Sequence, residues 1–104
     1  MKMDSLKDRA LRRVDSYDIL DYYLKPYHEK GALKQGQHIS NPFLLPTIQK
    51  TPSFNIYLSK SGSWRYNDFA TGDQGDCFNL VMRLYGLGFY EALQLVVRDF
   101  VIGI

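Results

Sequence analysis

The sequence predicts an α+β domain, and three observations support this. Residues 53–59 alternate between polar and apolar side chains and lead into a turn of serine and glycine, as in a β-hairpin with one buried face. Apolar residues then recur at helical spacing after Asp76 and again after Gly88. The chain has 104 residues, of which 45% are hydrophobic, and this is enough for one modest core.

The N-terminal part is predicted to hold two helices of different character. Residues 4–13 are mostly charged with a thin apolar stripe, and we expect a surface helix or a partly ordered arm. Asp15 or Ser16 can cap a second, more apolar helix, which the next proline along the chain ends. The resulting division is an arm over residues 1–14 and a single domain over residues 15–104.

The middle of the chain is predicted to run from an irregular connection into the hairpin. Residues 29–40 are polar and contain glycine, and we expect a loose turn and a short strand there. Residues 41–51 form a long connection with three prolines by Pro52, which disfavours regular elements. If Ser61 and Gly62 form a two-residue turn, Phe54 lies opposite Phe69. In that register the core face holds Phe54, Ile56, Leu58 and Phe69, and the opposite face holds Tyr57, Trp64 and Tyr66.

Two C-terminal helices are predicted because the hydrophobic period and the capping residues agree. Asp76 is a good N-cap, and apolar residues follow it at helical spacing until Gly86. After Gly88, a last helix is expected over about residues 89–100, with its apolar side chains on one face.

The charge distribution favours a polyanionic partner only weakly. The formal net charge is +2, but Lys and Arg are in excess in residues 1–14 and 25–65. Asp and Glu are in excess in residues 15–24 and 66–104. Ordinary solvated surface accounts for the same pattern when charge is considered alone.

Cysteine content and hydropathy limit the class of protein further. Cys77 is the single cysteine, which excludes an internal disulfide and a multi-cysteine metal site. No apolar run has the length needed to span a bilayer, and the N-terminus lacks the apolar segment of a signal peptide. We expect a cytoplasmic protein without a membrane partner.

The hairpin combines aromatic and basic residues, which is typical of modules that bind single-stranded nucleic acid. Tyr and Trp rings can stack on unpaired bases, and the cations of Lys50, Lys60 and Arg65 can neutralise phosphates. The alternative is that Tyr57, Trp64 and Tyr66 pack beneath the N-terminal helices as a second core. The residues alone leave both interpretations open.

Other chemistries are disfavoured by spacing. His28, His38 and Cys77 do not have the spacing of a structural zinc site. Asp73 and Asp76 are expected to be a turn residue and a helix cap, with Asp68 exposed at a strand end rather than part of a magnesium site. No nucleophile stands in a recognisable catalytic motif, so we expect no enzyme activity and no cofactor.

Five short motifs follow one another between residues 15 and 97. They are Asn41–Leu44, Lys50–Phe54, Asp68–Gly72, Gly75–Asp76 and Gly86–Leu93. Their order and spacing resemble the zinc-binding domain of bacterial DNA primases. That family has Cys-Pro-Phe-His, Lys-Thr-Pro-Ser-Phe, Cys-Phe-Gly-Cys-Gly, Gly-Asp and Gly-x-x-Phe-x-Glu-Ala-Leu in the same order.

The resemblance implies a degenerate form of that domain, because Asn41, Leu44, Asp68 and Thr71 stand at the four ligand positions. It implies a zinc-ribbon-like antiparallel sheet flanked by an N-terminal helix and two C-terminal helices, without metal. Since structural zinc contributes much of the folding free energy, we expect apolar packing to replace it. The side chains expected to fill the vacated space are Phe43, Leu44, Leu45 and Ile48.

The resemblance also implies a function. In that family the domain binds the single-stranded template, while a separate domain synthesises primers. This implies a non-catalytic, template-recognition module of a primase or replication system, and forms without metal suggest a mobile genetic element. The expected DNA contacts are Lys50, Pro52, Ser53, Tyr57, Lys60, Trp64, Arg65, Tyr66 and Asn67.

Two rival interpretations remain open. The first is a protein-interaction module that docks a primase catalytic subunit or a helicase without touching DNA. The second is a DNA-binding regulator that uses the 4–13 helix, which ranks last because no helix-turn-helix pair is recognisable.

Overall fold

A computed structural model describes residues 5–100, and its architecture is α+β, as predicted. The first four residues of the predicted arm and the last four of the predicted domain lie outside the described residues. The α-helices are α1 (Leu6–Arg13), α2 (Ser16–Leu24), α3 (Cys77–Tyr85) and α4 (Phe89–Asp99). The strands are β1 (Phe54–Leu58), β2 (Trp64–Asp68) and β3 (Gln74–Asp76), and short 3₁₀ turns cover Lys25–Tyr27 and Pro42–Leu44.

The predicted caps define the helix ends. The Asp15 carboxylate accepts a hydrogen bond from the Tyr17 amide at 2.9 Å at the start of α2. The Asp76 carboxylate accepts from the Asn79 amide at 2.8 Å at the start of α3. That helix ends at Gly86, whose φ of +65° is the left-handed conformation that favours glycine.

The predicted register of the hairpin is wrong by one residue. The strands form an antiparallel sheet in the order β1-β2-β3, and Phe54 lies opposite Asp68 rather than Phe69. Ser59 donates its amide to the Ser63 carbonyl at 2.9 Å, so the loop has three residues, and Gly62 within it has a φ of +91°. Since side chains alternate along a strand, this shift moves every β2 residue to the other face.

The third strand was not predicted, because the sequence around Gly75 suggested only a loop. Gly75 lies opposite Tyr66 in the ladder between β2 and β3. A Cβ atom at Gly75 would lie 2.8 Å from both the Tyr66 hydroxyl and Asn79 Cβ. A glycine is therefore required where the strand passes the tyrosine ring.

One core joins the helices to the inner face of the sheet. Phe54, Ile56 and Tyr66 project from that face and pack with buried residues of α2, α3 and α4. Ala10 of α1 is also buried, so the predicted surface helix is attached to the domain through one face. The boundary between residues 14 and 15 stays a prediction.

Within residues 5–100 we find no single helix that combines the length and apolar character needed to cross a bilayer. Helices α3 and α4 meet the criterion only together, and their axes turn by 101° at the break between them.

Candidate nucleic-acid interface

The outer face of the hairpin brings part of the predicted contact set together. Tyr57 lies opposite Arg65 and Asn55 lies opposite Asn67, so these side chains share the face that points away from the core. Tyr57, Arg65 and Asn67 are partly exposed. The face therefore offers an aromatic ring beside a guanidinium group, an arrangement that can stack a base and neutralise a phosphate.

The acidic residue beside Arg65 is engaged with other partners. Asp76 lies opposite Arg65 across the ladder. Its carboxylate accepts from the Asn79 amide and pairs with the Lys7 ammonium at 3.7 Å. Among the residues that the structure describes, no carboxylate lies within 4.0 Å of the Arg65 guanidinium.

Lysines precede and follow β1 along the chain. Lys60 is exposed in the turn between β1 and β2. Lys50 is exposed before the start of β1, and Pro52 follows it with partial exposure. Together with Arg65, the cations therefore lie before β1, in the hairpin turn and on β2.

The predicted surface formed by Tyr57, Trp64 and Tyr66 does not exist. The shift in register places Trp64 and Tyr66 on the inner face, and Tyr66 is only 1% exposed. Trp64 is partly buried against Tyr17 of α2, with ring centroids 5.0 Å apart. Tyr66 therefore cannot contact DNA, and of the three rings Tyr57 alone belongs to the outer face.

Ser53 is also removed from the predicted contact set, because it belongs to a buried polar cluster. Its hydroxyl donates to Asp68 Oδ1 at 2.7 Å, and Asn41 Nδ2 donates to Asp68 Oδ2 at 2.6 Å. Gln49 closes the cluster: its side chain accepts from the Asn41 amide at 2.9 Å and donates to the Ser53 hydroxyl at 3.1 Å. We call Asn41, Gln49, Ser53 and Asp68 the polar cluster.

Asp68 was expected to be exposed, but its side chain is fully buried. Burial alone would raise the pKa of its carboxyl group. The hydrogen bonds from Ser53, Asn41 and the backbone amides of Ala70 and Thr71 outweigh burial and lower that pKa below its usual range. The group is therefore a buried carboxylate whose charge is stabilised by four donors.

The four positions that the resemblance assigns to lost zinc ligands meet at this cluster. Asn41 and Asp68 are in direct contact, Thr71 donates its amide to Asp68 at 3.2 Å, and Leu44 donates its amide to the Asn41 carbonyl at 3.2 Å. One carboxylate and one amide do not make a zinc site, since zinc is held by thiolate, imidazole and carboxylate ligands. Within residues 5–100, no group of three or more His, Cys, Asp or Glu residues could hold a metal ion.

The expectation that apolar side chains fill the vacated space is wrong. Leu44, Leu45 and Ile48 are exposed, Ile48 at 75%. Phe43 is the exception, because its ring packs edge-on against Phe54 and Tyr66. Hydrogen bonds, not aliphatic packing, join the two halves of the site.

One surface aromatic residue was missed by the sequence interpretation. Phe69 was assigned to the core, but it is 67% exposed. Its amide donates to the Ser53 carbonyl at 3.3 Å, and its ring lies 5.6 Å from the ring of His38. With the correct register, Phe69 lies opposite Ser53, and its exposure on the outer face could have been predicted.

The cysteine has no role in this interface. Cys77 is buried at the start of α3. Burial and the neighbouring Asp76 raise the pKa of its thiol to about 12, so it stays protonated at neutral pH.

Comparison with known proteins finds a similarity to a DNA primase. No protein-family model matches the chain. Over 95 residues, which are 90% of the chain, the sequence is 32% identical to a DNA primase from Legionella pneumophila. The chain spans 15% of the length of that protein, so the similarity is to a small part of it.

Proposed function

We propose that this chain is a non-catalytic module that binds single-stranded DNA and recognises the template for a primase or replication system. The observation that carries the proposal is the pair of Tyr57 and Arg65 on the outer face, in a chain similar to part of a DNA primase. Primer synthesis would belong to another domain or subunit, because the aligned segment is a small part of that primase. We expect this activity in the cytoplasm. The missing zinc ligands suggest that the protein belongs to a mobile genetic element.

The arrangement of the interface supports binding without base specificity. Stacking on Tyr57 is tolerant of sequence because every base has a π face, and Lys50, Lys60 and Arg65 contribute charge along the strand. Asn67 adds a side-chain amide on the same face. Phe69 offers a second exposed ring next to the start of β1.

Fluorescence anisotropy with a labelled oligo-dT of about 15 nucleotides tests the proposal. Tyr57→Ala removes the stack, which is worth about 1–3 kcal/mol, and we expect binding to weaken about 5-fold or more. Arg65→Ala should reduce the slope of log K against log salt by about 0.7 for each phosphate that the arginine neutralises in the wild type. Tyr90→Ala and Arg98→Ala are matched controls, because both residues are exposed on α4.

Two outcomes would contradict the proposal. One is the absence of binding at micromolar protein in low salt. The other is that Tyr57→Ala and Arg65→Ala bind no more weakly than the α4 controls.

A second candidate function is supported by exposed aromatic side chains on the helices. Tyr22, Tyr85, Phe89 and Tyr90 are each more than 40% exposed. Such residues are typical of protein interfaces, so the module would dock a primase catalytic subunit or a helicase. Titration of those purified partners with the wild type and with Tyr85→Ser would test this, and unchanged affinity would reject it.

A further inference from the structure

A cleft separates the end of α1 from the turn of the hairpin, away from Tyr57. Its volume is about 410 Å³. The α1–α2 corner forms one wall, and the β1–β2 turn forms the other. Its lining residues are Leu11, Arg12, Arg13, Val14, Asp15, Ser16, Gly62 and Ser63.

The two walls of the cleft are joined by a hydrogen bond and a ring contact. Trp64 donates its amide to the Ser16 hydroxyl at 2.8 Å, which fastens the start of α2 to the start of β2. The Tyr17 ring lies against the Trp64 ring next to this bond. The cleft is therefore formed by backbone segments in fixed positions rather than by the chance placement of long side chains.

The chemistry of the cleft suits a phosphate group. Arg12 and Arg13 are the last two residues of α1, line the cleft and are exposed, and Lys60 lies outside the lining, two residues before Gly62. Asp15 is the acidic residue in the lining, and its carboxylate is engaged with the Tyr17 amide and the Ser16 hydroxyl. Guanidinium groups bind phosphate oxygens with paired donors, so the local excess of cations favours an anion.

The cleft also lies within reach of the outer face. Ser63 in its lining precedes Arg65 by two residues, about 7 Å along an extended strand. A flexible polyanion bound at Arg65 can therefore continue around the turn into the cleft.

We propose that the cleft binds a phosphodiester of the same single DNA strand that crosses the outer face, which extends the binding site from β2 to α1. This inference rests on the proposed function. It adds Arg12 and Arg13 to the binding residues and gives the basic N-terminal helix a specific role.

Oligonucleotides of different length test the inference. In the double variant Arg12→Gln/Arg13→Gln, an oligo-dT of about 12 nucleotides should bind about 5- to 20-fold more weakly at low salt, and the salt slope should fall by about 0.7–1.4. The dinucleotide TpT has a single phosphodiester and cannot place a phosphate at Arg65 and in the cleft at once, so its affinity should change by less than about twofold. The matched control is Arg9→Gln/Arg98→Gln, which removes two exposed charges outside the cleft lining.

A second pair of variants leaves α1 untouched. Ser63→Glu places a carboxylate in the cleft and should weaken binding of the 12-mer, whereas Ser63→Gln should not. Circular dichroism and the urea midpoint establish that each variant is folded.

The outcomes separate the two proposals. If the cleft variants bind the 12-mer like their controls while Tyr57→Ala loses affinity, the cleft is refuted and the outer face stands. If wild-type protein binds neither oligonucleotide, both proposals fail.

Discussion

Replacement of Asp68 by alanine should lower the free energy of unfolding by about 2–6 kcal/mol. Its carboxylate accepts two buried hydrogen bonds, from Asn41 at 2.6 Å and from Ser53 at 2.7 Å. Each donor left buried without an acceptor costs about 1–3 kcal/mol. The amides of Ala70 and Thr71 also lose a partner, but these residues are exposed and water can replace it. The loss is a large share of the about 5–15 kcal/mol that stabilises a typical domain.

An exchange of the Asn41 and Asp68 side chains tests the hydrogen bond between them while the volume of the site stays nearly constant. Asp68→Asn alone sets two amide nitrogens against each other, because Asn41 Oδ1 already accepts from the Phe43 amide at 2.7 Å. The double variant Asn41→Asp/Asp68→Asn restores a donor at position 68 and an acceptor at position 41. It also keeps an oxygen for Ser53 and for the Phe43 amide. We expect it to regain at least half of the stability that Asp68→Asn loses.

The pH dependence of the same variants gives an independent check. The pKa of Asp68 is lower in the folded chain than the value of about 3.9 expected for the unfolded chain. The contribution of the carboxylate to stability is therefore complete above about pH 5 and is lost as pH falls through the lowered, folded-state pKa. The difference in unfolding free energy between wild type and Asp68→Asn should shrink as pH falls from about 6 to about 3.

Urea denaturation followed by Trp64 fluorescence and by circular dichroism measures these differences. A loss below about 1 kcal/mol for Asp68→Ala would refute the reasoning, because the buried donors would then have found other partners. A double variant no more stable than Asp68→Asn would show that the Asn41–Asp68 contact does not carry the effect.

Two further predictions concern Gly75 in β3 and Cys77 at the start of α3. Gly75→Ala should lower the free energy of unfolding by about 1–3 kcal/mol, because the added methyl group would lie 2.8 Å from Tyr66 and Asn79. An unchanged urea midpoint would contradict the packing described for β3. Cys77 should react slowly with a thiol reagent at pH 8 in the native protein and fast in urea, because it is buried and its pKa is raised to about 12. Equally fast labelling of the native protein would show that the start of α3 is accessible to solvent.

The helices could be predicted from the sequence because their signals are local. The cap of α2 at Asp15 and the cap of α3 at Asp76 each lie within three residues of the amides they bind. The left-handed glycine at Gly86 ends α3 from within the same segment. Such signals need no knowledge of the rest of the fold.

The register of the hairpin could not be predicted with the same security. The turn sequence around Gly62 is compatible with a two-residue or a three-residue loop, and a difference of one residue inverts the faces of β2. For this reason Tyr66 was assigned to the surface and Phe69 to the core, the reverse of what is observed.

The polar cluster could not be predicted from the sequence for a different reason. Asn41 and Asp68 are 27 residues apart, and each looks like an ordinary turn residue in its own segment. Only the fold brings them together. The resemblance to a metal-binding domain grouped these positions correctly, but it suggested aliphatic replacement where the chain uses hydrogen bonds.

The polar cluster links the stability of the domain to its proposed interface. Gln49 is held by the Ser40 hydroxyl, the Asn41 amide and the Ser53 hydroxyl, and it directly precedes Lys50. A cluster weakened by Asp68→Asn should loosen the segment that positions Lys50, while Arg65 in the middle of β2 should keep its place. Affinity for single-stranded DNA should then fall through the Lys50 contribution, and the double variant that restores the hydrogen bond should restore that affinity together with stability.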